Sequence, residues 1–373
     1  MPSADELLGP LAATTLTHSI GTVMPGTTLH ELPRAADSLS GLALRERADL
    51  LRDALLTDVP GDYKSLAHVI RQARDHSADF SGWLIWPVTG AVAARAVQED
   101  TEAAFTDAMA LLAELTGRLT SEFALRTLLR HNLPRGLEII RRWTNSADEH
   151  VRRLASEGTR PYLPWAVRVP EITAHPAVTV PLLEARYRDP SEYVRRSVAN
   201  HLNDLSRDAP DLVVGMAQRW LEHPEPTTPA LVRHGLRTLL KKGHPGALAL
   251  LGFVPASVDV EGPHVTETQV LWGGGVRFTA VLRNSGPEPA RLAIDYVMHH
   301  RKANGTLSTK VFKLTTRDLP AGDEIVINRT HSFRSITTRR YYPGGHAVAL
   351  QVNGIATAPV PFELLPADGA PGS

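Results

Sequence analysis

Near residue 255 the hydrophobic pattern of this 373-residue chain changes period, and the change dictates a fold in two parts. Before it, apolar side chains recur every three or four positions, as in residues 42–56, 102–119, 123–129 and 182–187. That is the spacing of one buried face of a helix. After it, side chains alternate, as in Val276-Arg277-Phe278-Thr279-Ala280-Val281-Leu282 and Leu292-Ala293-Ile294-Asp295-Tyr296-Val297. Residues 310–314, 324–328 and 346–352 are further strand candidates, joined by 303–306, 320–323 and 342–345, which are rich in Gly, Asn and Pro. Helices followed by strands make two domains and exclude a Rossmann-like alternation. Short strands with a turn every 8–12 residues predict an antiparallel sandwich of immunoglobulin type. The expected architecture is multidomain: an all-α helical solenoid over residues 1–254, an all-β sandwich over 255–366, and a disordered tail over 367–373.

One phrase recurs in the helical part. Asp148-Glu149-His150-Val151-Arg152-Arg153-Leu154-Ala155 is answered by Ser191-Glu192-Tyr193-Val194-Arg195-Arg196-Ser197-Val198-Ala199, and residues 230–236 carry a weaker echo. The two Val positions lie about 43 residues apart, within the ~40–47 residues of a HEAT unit, so a helical solenoid is predicted. In the first copy Val151, Leu154 and Ala155 form the buried stripe. Arg152, Arg153, Ser156, Glu157 and Arg160 are expected to project away from it. In the second, Val194, Val198 and Leu202 are buried, with Arg196, Asn200 and Asp204 expected along the other side. A carboxylate near arginines thus falls on consecutive repeats, although an exposed ion pair would account for Glu157 equally well. Glu122 follows an expected cap at Thr120 or Ser121, where the helix dipole favours it.

Charge is balanced overall, 40 basic against 40 acidic, which does not suggest a nucleic-acid binder. It is nevertheless segregated: residues 1–120 are net −7, 121–168 net +4 and 291–340 net +6. Two basic blocks, one in each expected domain, could face a single polyanion. Other chemistries are not indicated. There is no cysteine for thiol catalysis or iron–sulfur clusters. There is no phosphate-binding Gly-rich loop, His-Glu-x-x-His or Gly-x-Ser-x-Gly motif. Gly273-Gly274-Gly275 reads as a turn or bulge, and His299-His300 lacks carboxylates at ligand spacing. No cofactor or metal is expected. An acidic N-terminus and the lack of a long apolar run point to a cytoplasmic protein with no membrane partner.

Residues 148–165 (DEHVRRLASEGTRPYLPW), 193–208 (YVRRSVANHLNDLSRD) and 233–246 (RHGLRTLLKKGHPG) resemble the AlkC branch of the HEAT-like-repeat DNA alkylation-repair glycosylases. Members with an immunoglobulin-like domain are also similar in Asp295-Tyr296 and Arg339–Gly344. The resemblance covers about residues 100–360. It implies a monofunctional glycosylase of base excision repair, acting on cationic bases such as 3-methyladenine and 3-methylcytosine without flipping them, and a monomer associated with the nucleoid. It implies sugar-facing carboxylates at Glu157 and Asp204, a third acidic contributor at Glu122, and Trp165 as an aromatic wall against the lesion. Arg152, Arg153, Arg160, Arg195, Arg196, Lys241 and Lys242 are then the expected phosphate contacts of the solenoid. Arg301, Lys302, Arg334, Arg339 and Arg340 would be those of a sandwich that clamps duplex DNA. The alternative class is a non-catalytic HEAT scaffold binding DNA or protein, since a solenoid alone implies no chemistry.

Overall fold

The computed structural model describes residues 3–336 and 339–366; the expected tail at 367–373 lies outside them. Secondary structure changes where the periodicity does, between the helix Pro245–Leu250 and the strand Val258–Val265. The chain separates into two compact units, Met1–Gly235 and Leu236–Ser373. The short helices Arg237–Lys241 and Pro245–Leu250 therefore group with the strands. One cause is a close approach: Gly243, at φ 72°, packs so near Gly354 that an added Cβ would lie 2.6 Å from its carbonyl oxygen.

In the first unit the helices up to Val180–Arg186 are built around one continuous core running from Leu8 to Leu182. The recurring phrase forms equivalent helices, Glu149–Glu157 and Glu192–Leu205, which pack against each other. The weaker echo forms Thr228–Gly235, packed on the second, so the three stack as successive repeats. Asp148 caps the first helix, its carboxylate accepting from the His150 N–H at 2.8 Å. The end of that helix is closely packed. A Cβ on Gly158 would stand 2.5 Å from Leu125 Cδ2, a side-chain tip that can move aside, and 3.1 Å from the Leu154 carbonyl oxygen, so a side chain here needs small shifts of both.

In the second unit the described residues form nine strands in two sheets: β1 (Val258–Val265), β2 (Gln269–Val270), β3 (Gly275–Asn284), β4 (Ala290–Arg301), β5 (Leu307–Leu319), β6 (Glu324–Ser332), β7 (Gly344–Val352), β8 (Ile355–Ala356) and β9 (Val360–Leu364). One sheet is ordered β1-β3-β6; the other is β2-β9-β7-β4-β5, with β8 paired to β7. All pairs are antiparallel except β2 with β9. The alternation read from the sequence sets the inward face, with Val276, Phe278, Ala280 and Leu282 of β3 opposite Leu292, Ile294, Tyr296 and Met298 of β4. The strands run longer than the apolar patches alone, because backbone pairing continues through polar residues such as Lys310 and Thr309. β9 was not among the expected strands. The triple glycine makes a turn, Gly273 at φ 77°, leading into β3 at Gly275.

Candidate functional site

Three carboxylates come from three different helices of the first unit. Glu122 opens the helix Glu122–His131, Glu157 ends Glu149–Glu157, and Asp204 lies near the end of Glu192–Leu205. Arginines thread them into one row. Arg153 reaches Glu122 Oε2 at 2.5 Å and Glu157 Oε1 at 3.6 Å. Arg160 donates from Nη1 to Glu157 Oε1 at 2.6 Å and from Nε to Asp204 Oδ2 at 2.9 Å. Thr120 donates its hydroxyl to Glu122 at 2.8 Å and accepts from Arg153 at 3.2 Å. These contacts fall on one oxygen of each carboxylate.

All three acids are buried, Glu122 at 8%, Glu157 at 5% and Asp204 at 2% exposure. Low-dielectric surroundings penalise an unpaired charge steeply, and the intervening guanidiniums give each carboxylate an opposite charge within reach. Burial raises the pKa of Glu122, opposed by Arg153 and reinforced by Glu157. Burial pulls the other way on Arg160, but the carboxylates of Glu157 and Asp204 overcome it and hold the guanidinium above its ordinary value. Tyr193, raised by burial, stands with its ring 5.1 Å under the Arg153 guanidinium, a cation–π contact that orients this arginine.

The structure corrects the expected directions of several side chains. Glu157, Ser156, Arg152 and Arg160 were expected on an outward face, and all four are buried. Arg152 makes a two-pronged pair with Asp189, at 2.8 and 3.1 Å, and also donates to the carbonyls of Ser146 and Ala147, so its donors are engaged inside the protein. Arg160 likewise belongs to the carboxylate row. Neither is placed to take a backbone phosphate. Asp204 is buried, whereas Arg196, its expected companion along the helix, is exposed. Arg195 is half-buried and donates to the carbonyls of Asp189 and Pro190 at 2.6 and 2.8 Å. Lys241 and Lys242 are exposed but belong to the second unit, as do the exposed Arg301, Lys302, Arg334 and Arg340 and the half-buried Arg339.

Trp165 is 56% exposed and sits at φ 59°, a conformation a non-glycine residue adopts only under constraint. Its ring lies 6.2 Å from Trp83; Trp83 lies 6.1 Å from Trp86, which stacks on Phe123 at 4.2 Å. A cleft of about 110 Å³ is lined by Trp86, Phe123 and Trp165 of this row together with Arg45, Asp49 and Arg52. Phe123 follows Glu122 in the chain, but the lining of this cleft includes none of the three carboxylates.

Arg126 was missed by sequence reasoning. Completely buried, it donates from Nη1 to the carbonyls of Gly158 and Arg160, at 3.1 and 2.8 Å, and from Nε to that of Val167. It thereby staples the segment bearing both Arg160 and Trp165. Burial, with the cations Arg168 and Arg160 nearby, lowers it to about 10. An arginine among Ala124, Leu125, Leu128 and Leu129 was the available signal, because a cation on a buried stripe needs internal acceptors. His201, wholly buried, is lowered to about 3 by desolvation; one ring nitrogen is 2.8 Å from the Ser156 carbonyl oxygen and the other 3.1 Å from Thr179 Oγ1.

Such a row of carboxylates can stabilise a cation developing on a bound molecule. Residues 259–366 match the family model described as "Uncharacterised protein YhaZ, C-terminal Ig-like domain". The chain is 32% identical over 325 residues to the protein YhaZ of Bacillus subtilis (strain 168), covering 87% of this chain and 88% of that one. Its fold is similar to that of the Pseudomonas fluorescens alkylpurine DNA glycosylase AlkC, solved bound to DNA containing an abasic site analog. There the TM-score is 0.87 and the identity 33%, over 98% of this chain and 100% of the other.

Proposed function

This chain belongs to the family of the AlkC DNA glycosylases, and from that premise we propose that it hydrolyses the N-glycosidic bond of cationic N-alkylated bases in duplex DNA. The observation that carries the reading is the buried row Glu122–Arg153–Glu157–Arg160–Asp204. A purine or cytosine alkylated at a ring nitrogen, such as 3-methyladenine or 3-methylcytosine, is positively charged. It departs as a neutral base and needs no general acid. What the protein supplies is a counter-charge for the oxocarbenium-like sugar and an oriented water. As the C1′–N bond breaks, its electron pair leaves with the base; water then bonds to C1′ and passes its proton to a carboxylate. Glu157 and Asp204 are the sugar-facing pair and Glu122 the third contributor. Arg160 and Arg153 fix them before the substrate arrives, so little reorganisation accompanies the reaction.

Trp165, held exposed by its segment, is the surface against which the lesion rests. Enzymes that alter bases usually extrude them into a pocket. Attack at the edge of the duplex needs none, and the narrow cleft beside Trp165 suits that route better than a base-sized chamber. Among the described residues no helix is long and apolar enough to cross a membrane, and we place the enzyme as a monomer on DNA in the cytoplasm. The test is release of alkylated base from methylated duplex by the wild type and by Glu157→Gln. Release by the wild type and its loss in the variant are expected; release at equal rates by both would remove the carboxylate row from the mechanism.

A further inference from the structure

Trp165 stands in a stretch without helix, between Glu149–Glu157 and Pro170–Ala174. Arg126 grips that stretch near its two ends, at the carbonyls of Gly158, Arg160 and Val167, and Leu163 is buried in between. These contacts hold the stretch to its own repeat. They do not decide how the exposed indole lies against the next repeat, which carries Asp204. A residue that does so must touch both.

Tyr162 touches both. Its hydroxyl donates to Asp208 Oδ2 at 2.7 Å, across 46 positions, and the Arg207 guanidinium lies over its ring, 4.5 Å from the centroid. Arg207 and Asp208 follow the helix Glu192–Leu205 directly, and the Arg207 N–H donates to the Asp204 carbonyl at 3.2 Å. From its own segment the ring meets Arg168, whose Cζ is 4.2 Å from the centroid and whose Nη1 donates to the Pro161 carbonyl at 2.9 Å. The link runs beside that of Arg160 with Asp204, which spans 44 positions.

A half-buried tyrosine on a surface is by itself ordinary. Two cations gathered on one ring are not, because they repel each other; the ring face attracts both, and Asp208 supplies a countercharge at the hydroxyl end. The Asp208 carboxylate, helped by burial, holds the phenol above its ordinary pKa against the pull of Arg168 and Arg207. The hydroxyl therefore keeps its proton and donates.

We propose that Tyr162 is a positioning residue for base excision, coupling the segment of Trp165 to the turn after Asp204 and so setting the surface that meets the lesion against the carboxylate that meets the sugar. The inference rests on the roles proposed above for Trp165 and Asp204. Its contacts reach exposed partners and are individually weak, so the repeat is expected to fold without them. Register is the more sensitive quantity. A misplacement of about 1 Å can cost on the order of 10²-fold in rate.

The full-length protein, labelled with 5-fluorotryptophan, carries six fluorinated indoles, and the resonance of Trp165 is the one lost in Trp165→Phe. Tyr162→Leu is expected to shift or broaden that resonance while those of Trp143 and Trp272 stay in place. It is also expected to cut single-turnover excision at saturating enzyme about tenfold or more. Tyr162→Phe keeps the ring under both guanidiniums and is expected to recover most of the rate. The two readouts fail separately: if the wild type releases no alkylated base, the excision reading falls, and the Trp165 resonance still decides the coupling. An unmoved Trp165 resonance in Tyr162→Leu, an unchanged rate, or a defect that disappears at saturating enzyme overturns the proposal. So does a fall in melting point that moves all six resonances together, since Tyr162 would then serve the fold alone.

Discussion

Arg160 Nε lies 2.9 Å from Asp204 Oδ2, a contact across 44 positions that ties the end of one repeat to the helix of the next. Because the same guanidinium also holds Glu157 at 2.6 Å, the two carboxylates proposed to face the sugar share one cation. Their separation is fixed by repeat packing and not by a flexible loop.

Glu157→Gln and Asp204→Asn are expected to cut single-turnover base excision by about 10²–10³ each, the usual effect of removing a preorganised charge. Since both acids are buried and paired, each variant also loses about 1–3 kcal/mol of stability by weakening a charge-assisted bond to Arg160. Rates must be measured below the lowered melting point. Wild-type rates from both would show that the sugar sits elsewhere.

Arg160→Met is expected to damage activity through position. It leaves two buried carboxylates without their common cation, so single-turnover excision falls, while Arg160→Lys, which keeps a cation there, restores part of the rate. Equal rates for the wild type and Arg160→Met would assign Arg160 a purely structural role.

Arg152 and the exposed lysines should behave oppositely. Arg152→Ala takes from Asp189, whose side chain has no exposure, its two-pronged partner and leaves it Arg186 at 3.2 Å, and is expected to cost about 1–3 kcal/mol in urea unfolding without altering the salt dependence of DNA binding. Lys241→Gln and Lys242→Gln are expected to leave the melting point in place. Each should reduce the log–log salt slope of duplex affinity by about 0.9 if it meets a phosphate. A slope that changes for Arg152→Ala alone would reverse this division.

His201 makes the helical unit sensitive to acid. Its folded pKa, about 3, lies below the unfolded value of 6.5, so it contributes stability that is present above pH 6.5 and lost as pH falls toward 3. Between those limits the wild type is expected to lose up to about 1.4 kcal/mol per pH unit through this group. His201→Asn, which cannot titrate, should show a shallower slope in denaturant titrations at pH 4–7; equal slopes would place the acid sensitivity in other groups.

The sequence by itself determined where helix gives way to strand, which helices repeat, and which face of β3 and β4 is apolar, because those follow from local periodicity and turn chemistry. It also singled out Glu157, Asp204 and Trp165 once their spacing was matched to a family. It could not tell where charged side chains point. Helical periodicity assigns Arg152, Glu157, Arg160 and Asp204 to water, since a lone charge belongs there. Tertiary structure reverses the assignment, because each finds an opposite charge that pays for its burial: Asp189 from a neighbouring segment for Arg152, and Asp204 from the next repeat for Arg160. Arg126 was illegible for the same reason. Its partners are carbonyls of Gly158, Arg160 and Val167, more than 30 residues away, and backbone oxygens carry no mark in a sequence. Long-range pairing in a low-dielectric interior, which no local pattern encodes, turned a repeated Val-Arg-Arg phrase into a site.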